Sequence, residues 1–139
     1  MLVIACILAI AFSIRTSRGM MVGQNYEHEA QYWAELGETI GNNVDVIALT
    51  HDYGYRLSYW GGIYSKLWPT GGDIYAKELM GTDPDDYIAF FDNEIKGYDV
   101  FLVTLLGDLD RQTELKDYLY QQYPYESCNG YVIFDLQNE

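Results

Sequence analysis

Thr50, His51, Asp52 and Tyr53 place a hydroxyl, an imidazole, a carboxylate and a phenol in a row, and Gly54 comes directly after them. Arg56 stands four residues beyond Asp52, and Tyr55, Tyr59 and Trp60 share the same short stretch. Rings of this kind stack on the face of a sugar, while a carboxylate and a guanidinium hydrogen-bond its hydroxyls. Apolar walls with a few polar groups are the ordinary make-up of a ligand pocket. The competing reading is packing of a helix on a sheet, a role that suits aromatics whose O–H or N–H reaches a partner. Asp108, in Gly107-Asp108 after a second apolar run, is the remaining candidate. A nucleophilic triad built from His51, Asp52 and a serine is weak. Ser58 falls on a helix, and neighbours on a strand end point opposite ways.

No glycine-rich phosphate loop, GxSxG elbow, HExxH or paired-cysteine motif occurs, so the sequence implies no cofactor, no metal and no catalytic residue. His28, between Glu27 and Glu29, lacks a second histidine at ligand spacing and reads as a solvated helix face. Cys6 lies in an apolar leader and Cys128 in a late loop, so no disulfide is expected between them.

The elements that hold the candidate residues can be read from pattern. Val44 to Leu49 is an almost continuous apolar run, as in a strand covered on both faces of a mainly parallel sheet. Its carboxyl end is where ligands bind in open α/β sheets. Residues 25–41 form a leading helix with Tyr26, Ala30, Trp33, Leu36 and Ile40 on one stripe. Asp52 can cap a helix from near Tyr53 to Gly61, and Ile63 to Trp68 reads as a second strand. Thr70 to Gly81 reads as an irregular loop with a turn of helix around Ile74 to Leu79. Thr82-Asp83-Pro84-Asp85-Asp86 starts the next helix, because proline and carboxylates both suit a first turn. Asp99 to Leu106 is the third strand, and Gln112 to Gln122 a helix that Asp108 or Asp110 can cap. Tyr131 to Leu136 is the last strand. The sum is an α/β fold, a small three-layer αβα sandwich with a mostly parallel sheet of about four strands in the order 2-1-3-4. That order brings the Thr50–Gly54 and Gly107–Asp110 turns to one crevice.

At 139 residues the chain has room for one domain with a real core. Eight Lys and Arg against 21 Asp and Glu leave it at −13, which repels phosphate backbones and argues against a nucleic-acid partner. The leader, Met1 to Ile14, carries no charge and gives an apolar N-terminal helix of about 21 Å at ~1.5 Å per residue, short of the ~30 Å hydrocarbon core. Residues 1–18 then read as the end of a transmembrane helix cut by the start of the chain, a short anchor or signal, or a buried helix. Residues 19–139 read as a soluble α/β domain. Arg15 and Arg18 suit a membrane surface and, by the positive-inside rule, place that domain in the cytoplasm.

The tail from Phe101 to Leu136, FLVTLLGDLDRQTELKDYLYQQYPYESCNGYVIFDL, resembles the close of bacterial membrane glycosyltransferases of the GT-C class, the group with dolichyl-phosphate-mannose protein mannosyltransferase-like proteins. THDYGYRLSYWGG and LWPT are similar to the same domain, so the likeness covers about residues 25 to 139. It implies a soluble C-terminal domain outside the cytoplasm on an enzyme that transfers a sugar from a polyprenyl-phosphate carrier. It also implies a cell-membrane location, and its outward topology runs against the arginine hint. The family's catalytic acids lie in an early extracytoplasmic loop that no position here matches. The domain is then expected to be non-catalytic, stabilising the enzyme or helping to seat acceptor or glycan. The alternative is a self-sufficient, membrane-anchored module for a small ligand or carbohydrate.

Overall fold

The computed structural model describes residues 6, 9–10, 12–16, 27–128 and 130–137. The chain divides into two compact units, residues 1–30 and 31–139. In the first unit the described leader residues are helical and exposed, with the Thr16 hydroxyl donating to the Phe12 carbonyl at 2.9 Å. Among the described residues no helix is long and apolar enough to cross a membrane. The correction concerns the membrane-spanning reading of the apolar N-terminal helix, for which the described residues hold no span, and the rest of residues 1–18 lies outside the described part.

The elements run α1 (Glu27–Ile40), β1 (Val46–Leu49), a 3-10 turn (Asp52–Gly54), α2 (Tyr55–Tyr59), β2 (Ser65–Leu67), α3 (Gly71–Met80) and α4 (Tyr87–Glu94). They continue with β3 (Val100–Val103), α5 (Leu106–Leu109), α6 (Thr113–Gln122), β4 (Tyr125–Cys128) and β5 (Tyr131–Asp135). Alternation along the strands sorts the core into two layers. Val46 and Ala48 of β1 and Leu102 of β3 face Trp33 and Leu36 of α1 and Leu57 of α2. Ile47, Leu49, Phe101, Val103 and Phe134 face Phe91 of α4 and Leu115 and Leu119 of α6. The first layer is tight. A Cβ on Gly37 of α1 would stand 1.9 Å from the Gly61 carbonyl oxygen, so only a glycine fits that crossing.

The fold is α/β, but the expected mostly parallel, four-stranded sheet is overturned. Five strands lie in the order β2-β1-β3-β5-β4, in place of the expected 2-1-3-4. β1 is parallel to β2 and to β3, in the register Val46 with Ser65 and Val100, whereas β5 is antiparallel to both β3 and β4. The reason is local. The α6 crossover delivers β4 in the direction of β3, and a short hairpin through Gly130 returns β5 into the slot between them. β4 gives no apolar signal because it is an edge strand, exposed along its whole length.

Two helical expectations also change. The stretch read as an irregular loop holds a ten-residue helix, α3, with a capping box in which Thr70 accepts from the Asp73 N–H and the Asp73 carboxylate accepts from the Thr70 N–H. Asp52 caps nothing, since α2 begins after Gly54 with no side-chain cap.

Candidate functional site

β1 sends its crossover through α2 on one face, and β2 reaches β3 through α4 on the other. A crevice opens at the carboxyl ends of β1 and β2, the end of the sheet where ligands usually sit in such folds. Its volume is about 530 Å³. Thr50 to Tyr53 form one wall, Leu67 to Thr70 with Asp73 and Lys77 of α3 the opposite one, and Leu105 lies at the end of β3.

The β1 wall has an unusual backbone. His51 is extended, and the chain then passes through Asp52 (φ 51), Tyr53 (φ 54, ψ 29) and Gly54 (φ 73), three left-handed residues in succession. Gly54 is free to adopt this conformation. For Tyr53 it costs roughly 1–2 kcal/mol, and strain of this kind gathers at functional sites. Its effect is to leave the Tyr53 ring 80% exposed at the crevice edge. Asp52 pairs with Arg56 one helical turn on. Thr50 is buried and accepts the Thr104 hydroxyl at 2.8 Å, which joins the ends of β1 and β3.

The opposite wall rests on a buried polar hub. Gln112 accepts the Trp68 indole N–H at 3.0 Å and the Tyr87 hydroxyl at 2.9 Å. Its amide donates to the Pro69 carbonyl at 3.1 Å and to the Asp108 carboxylate at 3.2 Å. Asp108 also accepts the Gly71 N–H at 2.8 Å, so it pins the start of α3. Burial pushes the Tyr87 hydroxyl up to about 12. The Asp73 carboxyl is held below the usual range by the Thr70 hydroxyl and N–H.

Charge at the crevice is balanced at short range. Asp52 pairs with Arg56, and Lys77 stands four residues beyond Asp73 on α3 with its ammonium 5.5 Å from the centre of the Phe90 ring. In a chain carrying −13 this spot stands near neutrality.

The sequence candidates divide among three places. His51, Asp52 and Tyr53 line the crevice. Tyr55 and Arg56 sit on the exposed side of α2 beyond it, and Ser58 donates to the Tyr55 carbonyl at 3.1 Å. Tyr59 and Trp60 line a separate depression of about 440 Å³ beside Gly37 and Glu38 of α1. Their rings meet edge-on, with centroids 5.8 Å apart. Asp108 is not a crevice wall, and neither it nor Asp110 caps α6: Asp110 pairs with Lys116 at 2.8 Å. The expected meeting of the Thr50–Gly54 and Gly107–Asp110 turns at one crevice is thus corrected, Asp108 reaching the site only through α3 and Gln112.

Lys77, Thr70, Asp73 and Gln112 are not legible in the sequence as site residues. Thr70-x-x-Asp73 is readable as a capping box, but Gln112 carries no local signal, because three of its four partners, Trp68, Tyr87 and Pro69, are distant in sequence. Among the described residues no group of three or more His, Cys, Asp or Glu side chains is placed to hold a metal ion, and both cysteines are free. Comparison of the chain with protein-family models, with curated proteins and with solved structures finds no match to any of them.

Proposed function

We propose that the domain is a non-catalytic accessory module that seats an uncharged saccharide in the crevice, and that it belongs to a membrane glycosyltransferase using a polyprenyl-phosphate sugar. The observation that carries the binding half is Tyr53. A tyrosine held left-handed with its ring in solvent stabilises nothing in the fold, yet it offers a flat apolar face beside hydroxyls, a carboxylate and an ammonium. The local charge balance favours a neutral ligand over a phosphate. The enzyme half is supported by the likeness of Phe101 to Leu136 to the close of GT-C enzymes. In this reading the soluble part lies outside the cytoplasm, and transfer chemistry belongs to the membrane portion of the parent enzyme.

Trp68 lies at the crevice floor and Trp60 in the other depression, so tryptophan emission tests the assignment. Titration with methyl α-mannoside, methyl β-glucoside and their disaccharides should give a saturable change with at least one of them. The change should vanish in Tyr53→Ala and persist in Tyr59→Ala. A flat response to every saccharide, or a response that depends on Tyr59 instead, refutes the assignment.

A further inference from the structure

The helix that forms the far wall of the crevice is held in an unusual way. α3 buries none of its ten residues. Tyr75, Leu79 and Met80 are 61%, 71% and 68% exposed, although a helix of a small domain ordinarily hides its apolar side chains. Among the described residues one hydrogen bond ties α3 to another element, from the Gly71 N–H to Asp108, and it sits at the helix's first residue. Farther along, the Lys77 ammonium rests against the Phe90 ring. The other end runs into Gly81 (φ 64), whose surroundings are open, and an exposed stretch up to Asp86.

We infer that α3 is a lid that pivots about Gly71-Gly72 as a rigid body and closes over the crevice. Asp73, Lys77 and Met80 fall on one stripe of the helix by their spacing, and Asp73 and Lys77 already line the crevice. A swing toward β1 carries Lys77 and Met80 over Tyr53 and covers three exposed apolar surfaces at once: Tyr53, Leu67 and Met80. The same swing widens the second cavity of about 570 Å³, which Ile74, Tyr75 and Glu78 line from the opposite side of α3. Few buried contacts and one anchored end are the physical marks of a low-stability, mobile element. The capping box and the Asp108 bond keep the pivot helical while the far end moves. This inference rests on the crevice being the ligand site, because a lid without a ligand has nothing to retain.

The test needs no ligand. In the full chain with Cys6→Ser and Cys128→Ser, spin labels at Glu38→Cys and Leu79→Cys report the α1 to α3 distance, and labels at Glu38→Cys and Gln121→Cys give a rigid reference between α1 and α6. The lid predicts a distance distribution at least twofold broader for the first pair, with Cα chemical shifts of α3 that remain helical. Gly72→Ala, which has room for a Cβ 3.6 Å from the nearest atom, should narrow it. A first-pair distribution as narrow as the reference overturns the lid, and so do random-coil shifts in α3, which would mean a fraying helix. Either result leaves saccharide binding to be judged by its own titration, whereas a broad distribution in a protein that binds no saccharide removes the site and not the motion.

Discussion

Replacing Gln112 by leucine is the sharpest probe of how the crevice is held. The two side chains are close in volume, and Gln112 is only 7% exposed, so the change leaves no large cavity and removes four hydrogen bonds. The losses are unequal. The Trp68 indole is buried, so its N–H becomes an orphan donor at a cost of about 1–3 kcal/mol. The half-buried Tyr87 hydroxyl and Pro69 carbonyl can recover water and cost about 0.5–1 kcal/mol each. Asp108 keeps the Gly71 N–H and loses little. The sum is about 3 kcal/mol, a large share of the roughly 5–15 kcal/mol that stabilises a domain. Urea unfolding followed by far-ultraviolet circular dichroism should show the midpoint falling by about 1.5 M with an unchanged slope, for a slope of about 2 kcal/mol per M. The exposed control Gln121→Leu should fall within about 0.5 kcal/mol of the parent. A loss under about 1 kcal/mol for Gln112→Leu would refute the hub and leave the β2–α3 wall without a support.

The same geometry fixes other outcomes. Gly37→Ala drives a methyl group into the Gly61 carbonyl oxygen and should cost at least about 3 kcal/mol in the same unfolding assay, since backbone stands on both sides of the contact. Tyr53→Asn relieves a left-handed strain that asparagine tolerates, so thermal unfolding should show a gain of about 0.5–1 kcal/mol while the saccharide response disappears. Asp73 in the capping box and Tyr87 at the hub set opposite pH limits. The Asp73 carboxyl is depressed below its ordinary 3.8, so its contribution is complete above 3.8 and is lost as pH falls through the folded value. Amide exchange should then find α3 loosening first in acid, and Thr70→Ala should cost about 1 kcal/mol at neutral pH and weaken that acid response. Tyr87 is raised to about 12, so its contribution is complete below 10.0 and is lost between there and 12. Absorbance at 295 nm should show a phenolate step near pH 12 that Tyr87→Phe removes.

What the sequence discloses depends on how each segment is buried. β1, β3 and β5 carry continuous apolar runs because helices cover the sheet on both faces, and such runs are visible without coordinates. β4 is polar and exposed, and its existence depends on pairing with β5, a contact that no local pattern encodes. Without β4 the antiparallel half of the sheet is hidden as well. α3 is only half visible for a different reason: it begins with Gly71-Gly72, two poor helix formers, so its helical pattern shows from Ile74 onward and not before. At the site, the polar stop after β1 is legible because strand ends in α/β folds are ligand positions. The split of Tyr59 and Trp60 from Tyr53 is not, since it comes from the left-handed turn at Asp52 and Tyr53, which rotates α2 away from the crevice. Asp108 stands out in the sequence for the wrong reason. It sits beyond a strand end, but its carboxylate is spent on the start of α3 and on Gln112.

The crevice as the seat of a neutral saccharide is tested most directly by residue-resolved binding. In a ¹⁵N-labelled full chain titrated with methyl α-mannoside or a disaccharide, saturable amide shifts should appear at Thr50 to Gly54, at Leu67 to Thr70 except Pro69, and along Asp73 to Lys77. They should be quiet around Gly37 and Trp60. Saturable shifts centred on Gly37, Tyr59 and Trp60, or none anywhere up to saturating saccharide, would contradict the account.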